Sequence, residues 1–123
     1  MVTSRVRLGD FGERVAAHRL ESEGMEIVAR KVRTASGEID IVAQDGDETV
    51  CIEVRTRRSA PGAASESIIR PKLARMWRCA FDYCETNAID AATIRVDLIT
   101  VELDAAGLVT TYFHYCGLDL PEG

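Results

Sequence analysis

Gly37-Glu38-Ile39-Asp40-Ile41-Val42-Ala43-Gln44-Asp45-Gly46-Asp47-Glu48-Thr49-Val50-Cys51-Ile52-Glu53-Val54-Arg55 reads as a β-hairpin. Two alternating apolar runs flank a polar connection from Gln44 to Thr49. Side chains alternate between the faces of a strand. Ile39, Ile41 and Ala43 are therefore expected on one face of the first strand, and Val50, Ile52 and Val54 on one face of the second. A turn centred on Gly46-Asp47 sets Ile41 opposite Ile52, Ile39 opposite Val54, and Asp40 opposite Glu53. A turn on Asp45-Gly46, also a good hairpin dipeptide, slides the register by two and leaves the carboxylates diagonal on the same face. Opposed side chains lie about 4.5–5.5 Å apart at Cβ and diagonal ones about 7–8 Å, and like charges so placed destabilise a sheet. A divalent cation would offset that repulsion.

Outward from the hairpin, the order of elements is α-β-β-β-α-β-β. The first helix is predicted to begin at Asp10 as N-cap, with Glu13 at the third helical position as in a capping box. Val15, Ala16 and Leu20 form its apolar stripe, and Gly24 stops it. A strand from Met25 to Val32 and a turn through Ala35-Ser36-Gly37 lead into the hairpin. Ser59 to Ser67, with Pro61 and Gly62, reads as a loop. The second helix takes Pro71 in its first turn, where a missing N–H costs least. Its stripe of Leu73, Met76, Trp77, Ala80, Phe81 and Cys84 faces the core, and Lys72 and Arg75 fall away from it. Strands Ile94–Leu103 and Leu108–Tyr115 follow, joined by a turn at Asp104-Ala105-Ala106-Gly107. The expected architecture is an α/β sandwich around a mixed sheet, one domain over residues 1–123.

With 46% hydrophobic and 28% charged residues in a chain of 123, the composition is that of an ordinary globular protein. No apolar run approaches the roughly 18 residues needed to span a bilayer, and the first residues lack the apolar stretch of a signal peptide. A cytoplasmic protein without membrane contact is expected. The four cysteines contain no C-x-x-C pair, so the expectation is free thiols rather than zinc. The net charge of −5 is unevenly spread. From Glu53 to Ala80, seven basic residues (Arg55, Arg57, Arg58, Arg70, Lys72, Arg75, Arg78) stand against Glu53 and Glu66, a local charge of +5. Such a segment suits a phosphate-binding surface; a solvated loop and helix face accounts for the charge equally well.

Phosphodiester hydrolysis with Mg²⁺ or Mn²⁺ requires oxygen ligands that leave positions open for water and a phosphate oxygen. Asp40 and Glu53 fit that need, with the Val54 carbonyl as a further ligand. Glu13 could approach from the first helix, and Arg55 stands where a cation would hold the phosphate. Each has a plainer explanation: a capping box for Glu13, an ion pair with Glu53 for Arg55, a solvated helix position for Lys72. Arg95 and Asp97 share a strand face and read as a structural ion pair. His18 and His114 have no neighbouring acid or serine in the sequence and read as structural or surface residues. Trp77 belongs to the core stripe.

Gly9…Gly12-Glu13, Gly37-Glu38-Ile39-Asp40-Ile41-Val42-Ala43, Ile52-Glu53-Val54-Arg55-Thr56-Arg57, and then Lys72 and Arg75 closely resemble the YraN family of small bacterial proteins. That family resembles a branch of the PD-(D/E)XK nuclease superfamily, near archaeal Holliday-junction resolvases. The resemblance runs from about Leu8 to about Val101. It implies a restriction-endonuclease-like αβββαβ core, with Asp40 and Glu53 on the metal, Glu13 as the acid of the first helix, and Arg55 where the superfamily has lysine. Arginine stays protonated, with a pKa above about 12, so Arg55 can steady phosphate charge but cannot act as a base. Lys72 could substitute from the helix. The implied function is metal-dependent cleavage of DNA, branched or structured forms included. A homodimer suits a junction, which has two equivalent strands to cut. The competing expectation is a nuclease fold that binds nucleic acid or a protein partner without turnover, and a third is an adaptor whose Arg-rich loop binds an acidic protein.

Overall fold

Gly46 takes a left-handed backbone (φ 58°) and, with Asp47, turns strand β2 (Gly37–Asp45) into β3 (Glu48–Arg58). The register is the Gly46-Asp47 one: Ile41 opposes Ile52, Val42 opposes Cys51, and Asp45 opposes Glu48. This computed structural model describes residues 4–58 and 66–121, with side chains for 7–58 and 72–121. The remaining elements are helix α1 (Ser4–Ser22), β1 (Glu26–Thr34), α2 (Glu66–Asn87), a short 3₁₀ turn (Ala91–Thr93), β4 (Ile94–Leu103) and β5 (Val109–Tyr115). The sheet runs β1-β2-β3-β4-β5. Only β3 and β4 pair in parallel, because α2 crosses over between them; the other neighbours are antiparallel. This is the expected α/β element order around a mixed sheet.

The sheet carries a helix on each face. Ala16 and Leu20 of α1 pack on Ile41, Val50, Ile52 and Ile99. Ala80, Tyr83 and Cys84 of α2 pack on Val42, Cys51 and Val96. Leu20, Ile41, Ile52 and Ile99 are fully buried, each contributing about 1.5–3 kcal/mol by its removal from water. Helix α1 lies unusually close to β3 at Gly12, where an added Cβ would collide with Thr56 Oγ1.

Several expectations are corrected. Helix α1 begins at Ser4 rather than after Asp10, so Asp10 and Glu13 are interior residues on one face and form no capping box. Instead both reach Lys31 on β1. Helix α2 begins at Glu66, ahead of Pro71; of the expected loop, residues 59–65 lie outside the described residues. Ile39 does not share a face with Ile41, packing instead in the cluster under α2. Opposite this stretch, Lys31 has a left-handed backbone (φ 52°) and stands between the ladder pairs Arg30–Ile41 and Val32–Ile39, while the register shift of the β1–β2 ladder falls between Ile27 and Ala29. Ile39–Val54 and Asp40–Glu53 are not ladder pairs, since the β2–β3 pairing ends at Ile41–Ile52. Phe81 is exposed, lying beside the Trp77 ring at 5.5 Å between centroids, while Tyr83 and Cys84 take the core positions. Cys51, Cys79 and Cys84 are buried thiols and Cys116 is exposed.

Candidate metal centre

Where β2 and β3 part, Val54 has no β2 partner in the ladder. The Asp40 carboxylate fills that place, its Oδ2 accepting the Val54 N–H at 2.8 Å. In an extended strand the N–H and C=O of one residue leave on the same side, so the Val54 carbonyl points toward the same gap. Burial pushes Asp40 up to about 6; the Val54 N–H opposes this, and the nearby charges of Glu13, Glu53 and Glu38 add to it. Among the described residues, no basic side chain pairs with Asp40. Desolvation and like charge thus combine on one carboxyl, the pattern that marks a cation or proton site.

Glu13 reaches the gap because Gly12 lets α1 sit against Thr56. Glu13 is 7% exposed and is held by β1, with Oε1 3.1 Å from Lys31 Nζ and 3.6 Å from Arg30. Asp10 takes the same lysine at 2.8 Å. That hydrogen bond is the largest influence raising the Lys31 ammonium, and burial opposes it. The left-handed Lys31 is thus the anchor that positions Glu13, a role sequence reading missed. The signal was available in the rarity of lysine, since only Lys31 and Lys72 occur.

Glu53 faces α2. Its Oε2 accepts from Arg55 Nε at 3.2 Å and from a terminal guanidinium nitrogen of the same residue at 2.9 Å. Its Oε1 lies 3.4 Å from Arg75. Lys72 is half-buried beside them; burial first, then the positive charge of Arg55, lower its pKa, and the charge of Glu53 opposes. Arg57 also acts on Lys72. The fold therefore brings Glu13, Asp40, Glu53, Arg55, Lys72 and Arg75 around the end of the hairpin. It does not bring Arg58, which faces α1 beside Arg7, Leu8 and Phe11. Strand alternation separates Arg57 from Arg58. Arg78 is exposed on α2 beside Asp82, and the side chain of Arg70 lies outside the described residues.

A second polar cluster occupies the α1 side of β4. Arg95 donates to both oxygens of Asp97 at 3.0 Å and reaches Asp45 at 2.9 Å and Glu48 at 3.1 Å. The structural ion pair is present, yet it is larger than expected. His114 Nε2 lies 2.7 Å from Asp97 Oδ2, and Gly117 N–H donates to Oδ1 at 2.9 Å. His114 thus does have an acid partner, contrary to the reading above. Its place opposite Ile99 in the final hairpin puts it one diagonal from Asp97, a register not worked out from the turn. Burial pushes Asp97 up, but His114, Arg95 and the Gly117 N–H outweigh it and hold the carboxyl below its usual range. Ligand atoms of Asp97, His114 and Cys116 lie within 4.8 Å of one another, a group able to hold a metal ion. Among the described residues, no helix is long and apolar enough to cross a membrane.

The family model described as uncharacterised protein family UPF0102 matches residues 12–101. A UPF0102 protein of Beutenbergia cavernae is 43% identical over 101 residues, covering 81% of this chain and 86% of the relative. One of Arthrobacter sp. is 48% identical over the same length, with the same coverage. Among solved structures, an fdxN element excision controlling factor protein from Anabaena variabilis matches 84% of this chain and 98% of its own, at 11% identity and a TM-score of 0.48. The chain belongs to the UPF0102 family, as its Gly-Glu-Ile-Asp and Glu-Val-Arg segments implied.

Proposed function

We propose that this protein is a divalent-metal-dependent nuclease acting on DNA, with its site at the open end of the β2–β3 hairpin. One observation carries the reading: Asp40 is desolvated beside three other acids, is pushed up to about 6, and has no basic partner among the described residues. Such a carboxyl lacks only a cation. Asp40, Glu53 and the Val54 carbonyl are all-oxygen donors, the set that Mg²⁺ or Mn²⁺ prefers. The bound ion would supply Lewis acidity toward a phosphate oxygen and a more acidic water.

The chain's own residues do the rest. Arg55 and Arg75 present guanidinium groups beside Glu53, where they can grip the phosphate flanking the scissile bond and steady its growing negative charge. Lys72, its pKa lowered by burial and by the charge of Arg55, is the amine beside the site among the described residues, and it sheds a proton more readily than a solvated lysine does. Arg57 extends the positive face along β3 for the nucleic-acid backbone. A cytoplasmic setting agrees with this substrate.

A second reading, a nuclease fold that binds nucleic acid without cutting it, has one observation in its favour. Both Glu53 oxygens already face arginines, which compete with a metal for that carboxylate. Incubation of the pure protein with linear, single-stranded and four-way-junction DNA under Mg²⁺, Mn²⁺ or EDTA decides between them. Metal-dependent cleavage is expected, lost in Asp40→Asn and Glu53→Gln and reduced about 10²–10³-fold in Arg55→Ala. Cleavage absent under every condition, in the natural protein and in Arg55→Lys, establishes the binding module.

A further inference from the structure

The two edges of the sheet are built in opposite ways. An edge strand offers unpaired N–H and C=O groups to any other chain, and proteins guard such edges with charge, bulges and distortion. Strand β1 is guarded: it carries Glu26, Arg30, Lys31 and Arg33, shifts register between Ile27 and Ala29, and turns left-handed at Lys31. Strand β5 is not. From Val109 to Tyr115 it reads Val-Thr-Thr-Tyr-Phe-His-Tyr, with no acid, lysine, arginine, proline or glycine. Its own irregularity lies at the Val109 end, and Thr111 to Tyr115 keep regular register against β4. Among the described residues β5 pairs with β4 and with no other strand. Tyr112 packs inward under α1, so alternation puts Thr111, Phe113 and Tyr115 on the α2 face. Helix α2 packs over the other four strands. Phe113 and Tyr115 stay 55% and 37% exposed, with their rings 6.1 Å apart.

We propose that β5 is the interface through which two copies of this chain pair, antiparallel and about a two-fold axis, so that their five-stranded sheets become one. Nothing in it depends on the nuclease reading. Charge selects both the second copy and its direction. Arginines stand at the start of β5: Arg7 and Arg58 beside Gly107, and Arg14 and Arg19 beside Val109. Asp104, the acid of that turn, is held by the N–H groups of Ala106 and Leu108. Acids stand at the other end, with Glu23 4.0 Å from His114 and Asp119 two residues past Gly117. Antiparallel pairing lays the basic end of one strand along the acidic end of its mate, whereas parallel pairing sets like beside like. The strand also complements itself. With the axis at Phe113, the two Phe113 side chains become cross-strand partners, and each Tyr115 faces the partner's Thr111. Aromatic and aromatic–β-branched pairs of this kind stabilise sheets. The pairing removes both open edges and leaves only the guarded β1 edges, so the assembly closes at two chains.

Sedimentation equilibrium of the full chain provides the test, with reductant present so that the exposed Cys116 cannot cross-link copies. The natural protein is expected at twice the mass of one chain, with nothing larger as concentration rises. Phe113→Lys sets two cations against each other at the axis and is expected to raise the dimer dissociation constant at least about 30-fold. Its exposed position is compatible with an unchanged circular-dichroism spectrum. Tyr115→Lys, a second exposed position on the same face, is expected to act alike, and Phe113→Tyr, which keeps the ring, to remain dimeric. Val28→Lys, at a 48% exposed apolar residue of the opposite edge, is expected to leave the dimer intact. A monomer at every concentration, growth beyond two copies, a dimer that survives both lysine substitutions on β5, or one that Val28→Lys dissolves overturns the proposal.

Discussion

Asp40 and Asp97 are both aspartates withdrawn into the sheet, and the structure treats them in opposite ways. Asp97 is fully buried yet surrounded by donors: two hydrogen bonds from Arg95, one from His114 and one from the Gly117 N–H. Asp40 is less deeply placed but, among the described residues, receives only the Val54 N–H, and the charged neighbours acting on it are other acids. The first is pulled below the usual carboxylate range and the second pushed up to about 6. Burial alone therefore does not mark function. What separates the two is whether the fold supplies the counter-charge itself or leaves it to something that binds.

The largest expected effect lies at the saturated acid. Asp97→Ala leaves Arg95 and His114 facing an empty, desolvated pocket, and is expected to cost about 3–5 kcal/mol, as for one partner of a buried pair. Urea unfolding of the variant measures it; a loss below about 1 kcal/mol would show that Asp45 and Glu48 neutralise Arg95 unaided. Its pH signature follows from its lowered pKa. The stabilisation is present above the unfolded value of 3.8 and disappears as pH falls through the lower folded one.

For Asp40 the sign reverses. Its folded pKa of about 6 lies above 3.8, so its favourable contribution is complete below pH 3.8 and is lost as pH rises through 6. Metal-free protein is thus expected to lose on the order of 3 kcal/mol through this group between acid and neutral pH. Asp40→Asn, measured beside the natural protein at pH 5 and pH 7.5, should be the more stable of the two by a wider margin at the higher pH. Saturating Mn²⁺ is expected to reverse that order. A gap unaffected by pH would mean that Asp40 titrates normally and needs no cation.

Gly12→Ala tests the packing that brings Glu13 toward Asp40. The new methyl meets Thr56, and an overpacked contact of this kind costs about 1–3 kcal/mol. Pushing α1 outward should also move Glu13 away and bring Asp40 part of the way back toward 3.8, readable as a lower carboxyl pKa by NMR. A smaller effect distinguishes the two faces of β3. Removing Arg57 or Arg75 is expected to flatten the salt dependence of DNA binding by about 0.7–0.9 in log–log slope per lost phosphate contact. Arg58→Ala, on the α1 face, is expected to leave the slope unchanged.

Sequence reading recovered the element order, and one of its two hairpin registers holds from Ile41–Ile52 to Asp45–Glu48, because both rest on local signals: alternating apolar residues and a glycine able to adopt a left-handed turn. The same alternation set Asp40, Glu53 and Arg55 at one end of the hairpin, where Glu53 acts on Asp40 and Arg55 hydrogen-bonds Glu53. The parting of β2 and β3 was not legible, since nothing in the alternation of either strand marks that their pairing stops at Ile41–Ile52. Asp10 resembled an N-cap because an acid three residues before Glu13 has the right spacing; nothing local revealed that the helix had already begun at Ser4. The Asp97 network joins residues up to fifty positions apart, beyond any spacing rule. Arg58 is a different failure. Alternation along β3 already assigned it to the other face, and counting charge by segment concealed that.

The parallel β3–β4 pairing also has a consequence in time. Every strand contact up to β3 closes through a tight turn, whereas joining β4 to β3 must wait for the whole α2 crossover. Loop closure is the slow, entropically costly part of folding. Asp40, Glu53 and the Lys31 anchor all belong to the early, locally wired meander, so the acids are set before the sheet's centre is zipped. Pulse-labelled hydrogen exchange should read this as protection at Val42 and Cys51 preceding protection at Val96 and Ile99, with the acidic end of the hairpin assembled while half the sheet is still to come.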